Sequence, residues 1–135
     1  MTRRLLLISI IAVWAVHADA ADSLPSNLVG EWATEKSEFS RGALSSGAAL
    51  YLTTQGVGAL IGAPPPIGAI GPAMYDVKTR TLTLRLTEHG QVMATCAFIY
   101  DAHMKTLKGQ GMECGSDVFT RRRDAVPDYI LKMLK

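Results

Sequence analysis

The chain has 135 residues, of which 48% are hydrophobic and 19% are charged, with a formal net charge of +2. This length is enough for one compact core but not for two, so a single domain is expected. The small net charge excludes the strongly basic surface that is typical of nucleic-acid-binding proteins.

Residues 1–20 have the pattern of a secretory signal peptide. Two arginines precede an apolar run over residues 5–16, and small residues with A-x-A spacing end at Ala20. The apolar run is about 12 residues long, whereas a membrane-spanning helix needs about 20. The sequence therefore predicts an exported protein, periplasmic or secreted. Its mature domain is expected to span residues 21–135, with no transmembrane segment after signal cleavage.

Two strands are expected in the first part of this domain. They cover residues 28–34, LVGEWAT, and residues 49–54, ALYLTT. The stretch between them, residues 36–47, is rich in Ser and Gly and is expected to be a polar loop.

Residues 56–74, GVGALIGAPPPIGAIGPAM, combine apolar side chains with glycines and four prolines. Because proline cannot donate a hydrogen bond to a neighbouring strand, a central strand does not tolerate this density. The segment is expected to break at residues 62–66 into two short edge-like pieces. Three interpretations stay open: a crossover that covers the core, a lid over an apolar cavity, and a hydrophobic patch for a partner protein.

Residues 81–87, TLTLRLT, alternate apolar and polar side chains with the period of a strand that buries one face. A Glu-His-Gly turn joins them to a further strand over residues 92–100. A two-residue loop of His89 and Gly90 would send one apolar face to water, so a three-residue loop with Gly90 at positive φ is expected. That loop aligns three pairs: Leu82 with Cys96, Leu84 with Ala94 and Leu86 with Val92.

Two octets repeat one pattern, YDVKTRTL at residues 75–82 and YDAHMKTL at residues 100–107. In each, the Asp can hydrogen-bond the backbone of a four-residue turn, and the returning strand then pairs the Tyr with the Leu. The repeat is therefore expected to be the turn of an up-and-down meander and not a duplicated ligand site. Asp76 and Asp101 would lie at the same end of the sheet, but each is needed by its own turn, so no acid/base pair is expected.

The last part of the chain completes the expected fold. Strands are predicted over residues 106–112 and 118–122, and a short helix over residues 126–134, with Pro127 in its first turn. About seven or eight short strands with one buried face must close into a barrel or pack as two sheets. The expected fold class is all-β, a small antiparallel up-and-down barrel or sandwich with a short C-terminal helix.

Cys96 and Cys114 are the two cysteines of the chain. An even number of cysteines in an exported domain predicts a disulfide, and two buried thiols are the alternative. The turn at residues 101–106 would align Cys96 with about Gly111, so the bond requires a bend among residues 109–111. The spacing of the two cysteines fits no zinc or redox motif.

The tripeptide Gly30-Glu31-Trp32 on the first expected strand resembles the G-x-W opening of lipocalins and related small β-barrels. In that family the Trp closes one end of the barrel, and an Arg of the last strand packs across its indole. The resemblance implies the barrel architecture for this chain. It also implies that Trp32 packs with Arg121 or Arg122.

The polar residues form no pattern that indicates catalysis, so a non-enzymatic protein without a cofactor or metal is expected. His89 and His103 lie on successive turns, at opposite ends of a strand roughly 25 Å long, and cannot share a metal. The sequence contains no nucleophile motif, phosphate loop or dinucleotide fingerprint.

Two functions stay open. One is a carrier or sensor that holds a small apolar molecule in the barrel mouth, as the lipocalin resemblance implies. The other is an envelope protein-interaction module, an inhibitor or assembly factor, that acts through exposed loops or a sheet edge. Neither function involves nucleic acid. Six side chains are the candidates to line the ligand site: Leu60, Ile61, Ile67, Ile70, Tyr75 and Tyr100.

Overall fold

The computed structural model describes residues 23–135, so the expected signal peptide at 1–20 lies outside the described residues. The described part of the chain forms nine strands, a 3-10 turn at Met112–Cys114 and one short α-helix. In chain order the elements are β1 (Gly30–Thr34), β2 (Glu38–Ser40), β3 (Ala43–Leu52), β4 (Val57–Ala63), β5 (Ile67–Asp76), β6 (Thr81–Glu88), β7 (Gln91–Asp101), β8 (Thr106–Gly109), β9 (Val118–Arg123) and α1 (Asp128–Met133).

The sheet closes on itself through its first strand. Its order is β1-β9-β8-β7-β6-β5-β4-β3-β2, and β1 also pairs with β3, where Trp32 lies opposite Leu50. Eight of the strands in residues 23–135 thus form a closed antiparallel barrel, and β2 extends β3 beyond it. The predicted fold class is confirmed as an all-β up-and-down barrel with a short C-terminal helix.

The two repeated octets build matching turns at one end of the barrel. The Asp of each octet accepts a hydrogen bond through its Oδ1 atom from the turn backbone, at 2.9 Å from Lys78 N–H in the first and 2.9 Å from His103 N–H in the second. Arg80 and Lys105, which immediately precede the Thr-Leu pair that ends each octet, have positive φ of 58° and 56°. Both predicted cross-strand pairs are confirmed: Tyr75 with Leu82 and Tyr100 with Leu107.

The β6–β7 hairpin has a register that differs from the predicted one by two residues. Its loop is the two-residue turn of His89 and Gly90, which have positive φ of 52° and 80°. The positive φ of Gly90 is confirmed, but the predicted three-residue loop and its alignment are wrong. The observed pairs are Leu82 with Phe98, Leu84 with Cys96 and Leu86 with Ala94.

A β-bulge explains this difference. Leu86 lies opposite Ala94, whereas the next residue, Thr87, lies opposite Val92, so Met93 is an extra residue in β7. One extra residue reverses the faces of the strand beyond it, so the two-residue turn no longer sends an apolar face to water. Val92, on the turn side of the bulge, is 56% exposed, and Met93, the extra residue itself, is 55% exposed.

The predicted break of the glycine- and proline-rich segment at residues 62–66 is confirmed, because β4 ends at Ala63 and β5 begins at Ile67. The prediction of short edge-like pieces is wrong, because both strands belong to the barrel wall. β4 pairs with β3 and β5, and β5 pairs with β4 and β6, around a turn of three prolines at residues 64–66. The hydrogen-bonded pairing of β5 with β6 is interrupted at Gly71 and Pro72. At this point the two strands approach so closely that a Cβ on Gly71 would overlap the carbonyl oxygen of Arg85. This local gap in the ladder accommodates the proline within an interior strand.

The polar stretch at residues 36–47 is a hairpin and not the predicted loop. β2 covers Glu38–Ser40, and β3 already begins at Ala43. The hairpin extends past the barrel and buries only part of the side chains of Phe39 and Leu44. Its sequence therefore lacks the regular alternation by which a half-buried strand is detected.

Large apolar side chains fill the barrel interior. They come mainly from β1, β3, β6, β7, β8 and β9 and form one continuous buried cluster with the segment that precedes β1. To this cluster β5 adds Ala73, and β4 adds the half-buried Leu60. The large side chains with no exposed surface in this cluster are Leu28, Trp32, Leu50, Leu52, Leu82, Leu84, Phe98 and Leu107.

Cys96 and Cys114 form the predicted disulfide. After β8 the chain bends through Gly111 and Gly115, which have positive φ of 86° and 80°. Gly111 N–H donates to the Gly115 carbonyl at 2.8 Å and closes this bend. The disulfide ties residues 110–117 to the inner wall of β7, and it is consistent with an oxidising compartment.

Helix α1 packs on the outer face of the barrel. Its Ile130 is fully buried against three small wall residues, Ala33, Ala49 and Ala59. Pro127 precedes the first helical residue, so the predicted C-terminal helix is confirmed in a slightly shorter form. No helix in the described part of the chain is both long and apolar enough to cross a membrane.

Replacing Gly90 with Val is expected to lower the free energy of unfolding by about 1 kcal/mol or more. Gly90 has a φ of 80°, which a β-branched residue resists, and no atom lies within 4 Å of an added Cβ. The cost is therefore conformational. Urea denaturation of the purified protein measures it. In the control Gly62→Ala, the added Cβ meets only the Gly47 carbonyl oxygen at 3.8 Å, so no destabilisation is expected. Equal losses in both variants would contradict this explanation.

Candidate functional site

Aromatic side chains close the end of the barrel at which the two octet turns lie, and we call it the closed end. The ring of Tyr100 stands edge-on to those of Trp32 and Tyr75, with 6.1 Å between ring centroids in each pair. Asn27 Nδ2 donates a hydrogen bond to the Tyr100 hydroxyl at 3.2 Å. Burial, and then the nearby Tyr100, raises the pKa of the Tyr75 phenol above its ordinary value.

Trp32 and Arg121 both bind the backbone of the segment that precedes β1. Trp32 Nε1–H donates to the Leu28 carbonyl at 2.9 Å, and Arg121, its cross-strand partner on β9, donates to the carbonyls of Ser26 and Val29. These bonds hold the segment across the closed end. The packing of an Arg across the Trp32 indole stays a prediction.

Arg122 lies elsewhere, on the outer face of the barrel. Its guanidinium carbon is 5.8 Å from the ring centroid of Phe39, and its Nη2 donates to the Thr34 carbonyl at 2.8 Å. It therefore fastens the β2–β3 hairpin to the last strand of the barrel.

The opposite end of the barrel is less tightly filled, and we call it the mouth. It lies between the proline turn at residues 64–66, the turn at 89–90 and the disulfide-bonded segment at 110–117. Along β3, for example, the inward residues Leu52 and Leu50 are fully buried. The inward residues nearest the mouth are only half-buried: Ala48, Leu60, Ala69, Ala94 and Cys114.

A shallow cavity of about 400 Å³, open to solvent, lies at the mouth. Small residues of β3, β4 and β5 form one wall, among them Ala48, Gly62 and Ala69. Cys114 and Phe119 form the facing wall. The carboxylates at the rim, Glu88 and Asp117, are exposed, so the cavity itself is mainly apolar.

A separate groove of about 220 Å³ lies on the outer face of the barrel, between the β4–β5 hairpin and helix α1. Ala59, Ile61 and Ile70 of the hairpin form its floor, and Tyr129 and Met133 of α1 form one side. Its lining is almost entirely apolar. The hairpin therefore contributes to two concave surfaces, one on each face of the barrel wall.

The six predicted ligand residues do not meet at one site. Leu60 lines the mouth, Ile70 lines the outer groove, and Ile61 and Ile67 border both. The remaining two, Tyr75 and Tyr100, lie at the closed end of the barrel and pack against Trp32 or each other.

The small residues of the mouth were not among the predicted site residues. Ala48, Gly62 and Ala69 carry no chemical signal of their own. Their common feature is inward placement on neighbouring strands, Ala48 opposite Gly62 and Leu60 opposite Ala69. This placement could have been inferred only with the correct pairing of β3, β4 and β5.

Within residues 23–135, no three His, Cys, Asp or Glu side chains are grouped so as to hold a metal ion. His89 lies on the turn at the mouth, whereas His103 lies on an octet turn at the closed end.

Comparisons of the chain with protein-family models, with curated proteins and with solved structures gave no match.

Proposed function

We propose that this domain is a non-enzymatic binding protein that holds a small apolar molecule in the mouth of the barrel. The observation that carries the proposal is the contrast between the two ends. The interior is filled with large side chains up to the level of Leu86, whereas Ala48, Gly62 and Ala69 leave a cavity beyond it. A volume of about 400 Å³ lies within the range of about 300–1,000 Å³ found for ligand sites.

The frame of the mouth suits a preformed site. The barrel wall is closed, and the Cys96–Cys114 disulfide holds residues 110–117 on the far side of the cavity. A wall that is already ordered loses little conformational entropy when a ligand binds. A barrel closed at one end by Trp32 and open at the other is also the arrangement that the lipocalin resemblance implies.

Export to the periplasm or secretion is part of this proposal. The disulfide supports it, because such bonds persist in oxidising compartments. The sequence pattern of residues 1–20 supports it independently.

Filling the mouth is expected to abolish ligand binding. Thermal melts of the purified protein against fatty acids, retinoids and quinones should identify a ligand, which at 100 times its Kd adds about 2.7 kcal/mol to stability. Ala69→Leu places a larger side chain in the cavity and should remove this shift. The matched control Ala97→Leu, on the outer face of β7, should retain it.

Gly62→Leu provides a second test, because an added Cβ at this position has no close contact. An unchanged ligand shift in both folded mouth variants would contradict the proposed site. A panel in which no ligand moves the melt would contradict the proposed function.

The second candidate, an envelope protein-interaction module, is favoured by one observation. Ile67 is 68% exposed and follows directly on the exposed proline turn at residues 64–66. An apolar side chain presented on a stiff turn is a suitable contact for a protein partner. If the ligand panel has no effect, Ile67→Ser should reduce the capture of a partner from an envelope extract.

A further inference from the structure

The rim of the mouth carries formal charge of one sign. Glu88, the last residue of β6, and Asp117, just before β9, both line the cavity, and both are exposed. No lysine, arginine or histidine of the described residues lines it. The rest of the lining is apolar apart from its backbone. The cavity therefore combines apolar walls with a rim whose charged groups are carboxylates.

The fold does not use these two carboxylates. Within residues 23–135, no ion pair or side-chain hydrogen bond engages Glu88 or Asp117. Glu113, in the same disulfide-bonded segment as Asp117, is different, because its Oε2 accepts a hydrogen bond from Thr95 N–H at 3.3 Å. Glu88 and Asp117 are thus free to interact with a bound molecule, whereas Glu113 has a structural role.

The position of these carboxylates determines how they act on a ligand. A molecule whose apolar tail lies against Ala48, Leu60 and Ala69 has its head group at the open rim, in contact with water. A charged head at this position keeps most of its hydration, so the cost of burying a charge is avoided. The sign of the head charge then decides the remaining electrostatic interaction, which attracts a cation and repels an anion.

We propose that the mouth selects apolar molecules with a cationic head group, of the alkylammonium class, over carboxylates with the same tail. Glu88 and Asp117 are the residues that determine this specificity. The preference rests on the function proposed above, because the same cavity holds the apolar tail.

The test compares three probes that share one tail and differ in the charge of the head: octylamine, octan-1-ol and octanoate. At about pH 7 a primary amine is protonated and a simple carboxylic acid is ionised. Binding to the purified full chain is followed at low salt by the amide NMR shifts of Ala48 and Ala69. We expect octylammonium to bind about fivefold more tightly than the alcohol and octanoate about fivefold more weakly, the effect of two exposed charge pairs.

Salt provides an independent readout of the same interaction. Raising its concentration from about 0.01 M to about 1 M shortens the Debye length from about 30 Å to about 3 Å. Both affinity differences should then shrink. A preference that does not change with salt would show that the head groups are not distinguished by charge.

Two double variants separate the rim from the overall charge of the protein. Glu88→Gln with Asp117→Asn removes both rim charges at exposed positions and should bring the two charged probes close to the alcohol, whose own affinity should not change. The control, Asp124→Asn with Asp128→Asn, removes the same charge from two exposed residues that do not line the cavity. It should keep the native order of affinities.

The outcomes distinguish this preference from the function on which it rests. If the alcohol shifts the mouth amides but all three probes bind equally, the mouth binds apolar molecules and the proposed selectivity is wrong. Selectivity is equally contradicted if the order of affinities survives in the rim variant, or disappears to the same extent in the control. If no probe shifts the mouth amides, the proposed function itself fails.

Discussion

Replacing Trp32 with Ala is expected to lower the free energy of unfolding by about 3–5 kcal/mol, the range typical of large-to-small changes at fully buried aromatic positions. Trp32 has no exposed surface, packs edge-on to Tyr100 and donates to the Leu28 carbonyl at 2.9 Å. Its removal leaves a cavity at the closed end and an unpaired carbonyl. Urea denaturation followed by circular dichroism measures the change.

The control for this variant is Met74→Ala. Met74 lies on β5 and is 58% exposed, so its truncation should change stability by less than about 0.5 kcal/mol. A loss of under 1 kcal/mol in Trp32→Ala would show that Trp32 does not close the barrel end in the way described.

The second large effect is expected from the disulfide. Replacing Cys96 and Cys114 together with Ala should lower the free energy of unfolding by about 3 kcal/mol, because the bond closes a loop with a sequence separation of 18 residues. Cys96 is also almost fully buried, so the lost sulfur adds a packing cost. Denaturation with and without reductant measures the contribution of the bond itself.

Reductant should destabilise the native protein and leave the double variant unchanged. Thiol titration of the denatured, non-reduced protein should find no free thiol. Two free thiols would contradict the disulfide, and with it the placement of residues 110–117 over the mouth.

Local patterns were sufficient to predict much of this fold. The alternation of residues 81–87 identified β6, and the octets identified two turns together with their cross-strand pairs. Both predictions depend on short-range chemistry, namely a two-residue side-chain period and an Asp that binds the backbone of its own turn. The disulfide was predictable because only two cysteines were available.

Features set by distant contacts were not predictable in the same way. The register of β6 and β7 depends on a bulge at Met93, and no residue type in this part of the sequence indicates a bulge. β5 accommodates Pro72 because its hydrogen-bonded pairing with β6 is interrupted at that residue. This interruption arises only when the barrel is assembled. The expectation that a central strand does not tolerate proline therefore predicted edge strands, whereas the structure has strands of the barrel wall.

The candidate site was only partly predictable for a related reason. The sequence predicted that apolar residues of the β4–β5 hairpin line a ligand site, and three of them, Leu60, Ile61 and Ile67, do border the mouth. It also selected Tyr75 and Tyr100. Both side chains point into the barrel as expected, but they lie at its closed end and not at the mouth. Which end is open depends on the size of side chains from several strands.

The burial of Glu31 was not predicted, because the sequence pattern did not show which face of the barrel the C-terminal helix covers. Helix α1 covers that face, and Ala33, Ala49 and Ala59 make room for Ile130. A run of small residues at outward positions is a signal that another element packs there. Applied to β1, β3 and β4, this signal would have indicated that the carboxylate is buried.

The central claim is that the half-buried end of the barrel binds an apolar molecule. Its most direct test is an amide NMR titration of the purified full chain with dodecan-1-ol, whose neutral head group is not repelled by the rim carboxylates Glu88 and Asp117. The expected shifts are confined to the mouth, at Ala48, Leu60, Ala69 and Phe119, and are absent in Ala69→Leu. Shifts centred on Tyr100 and the closed end, or no saturable shift at any amide, would contradict the claim.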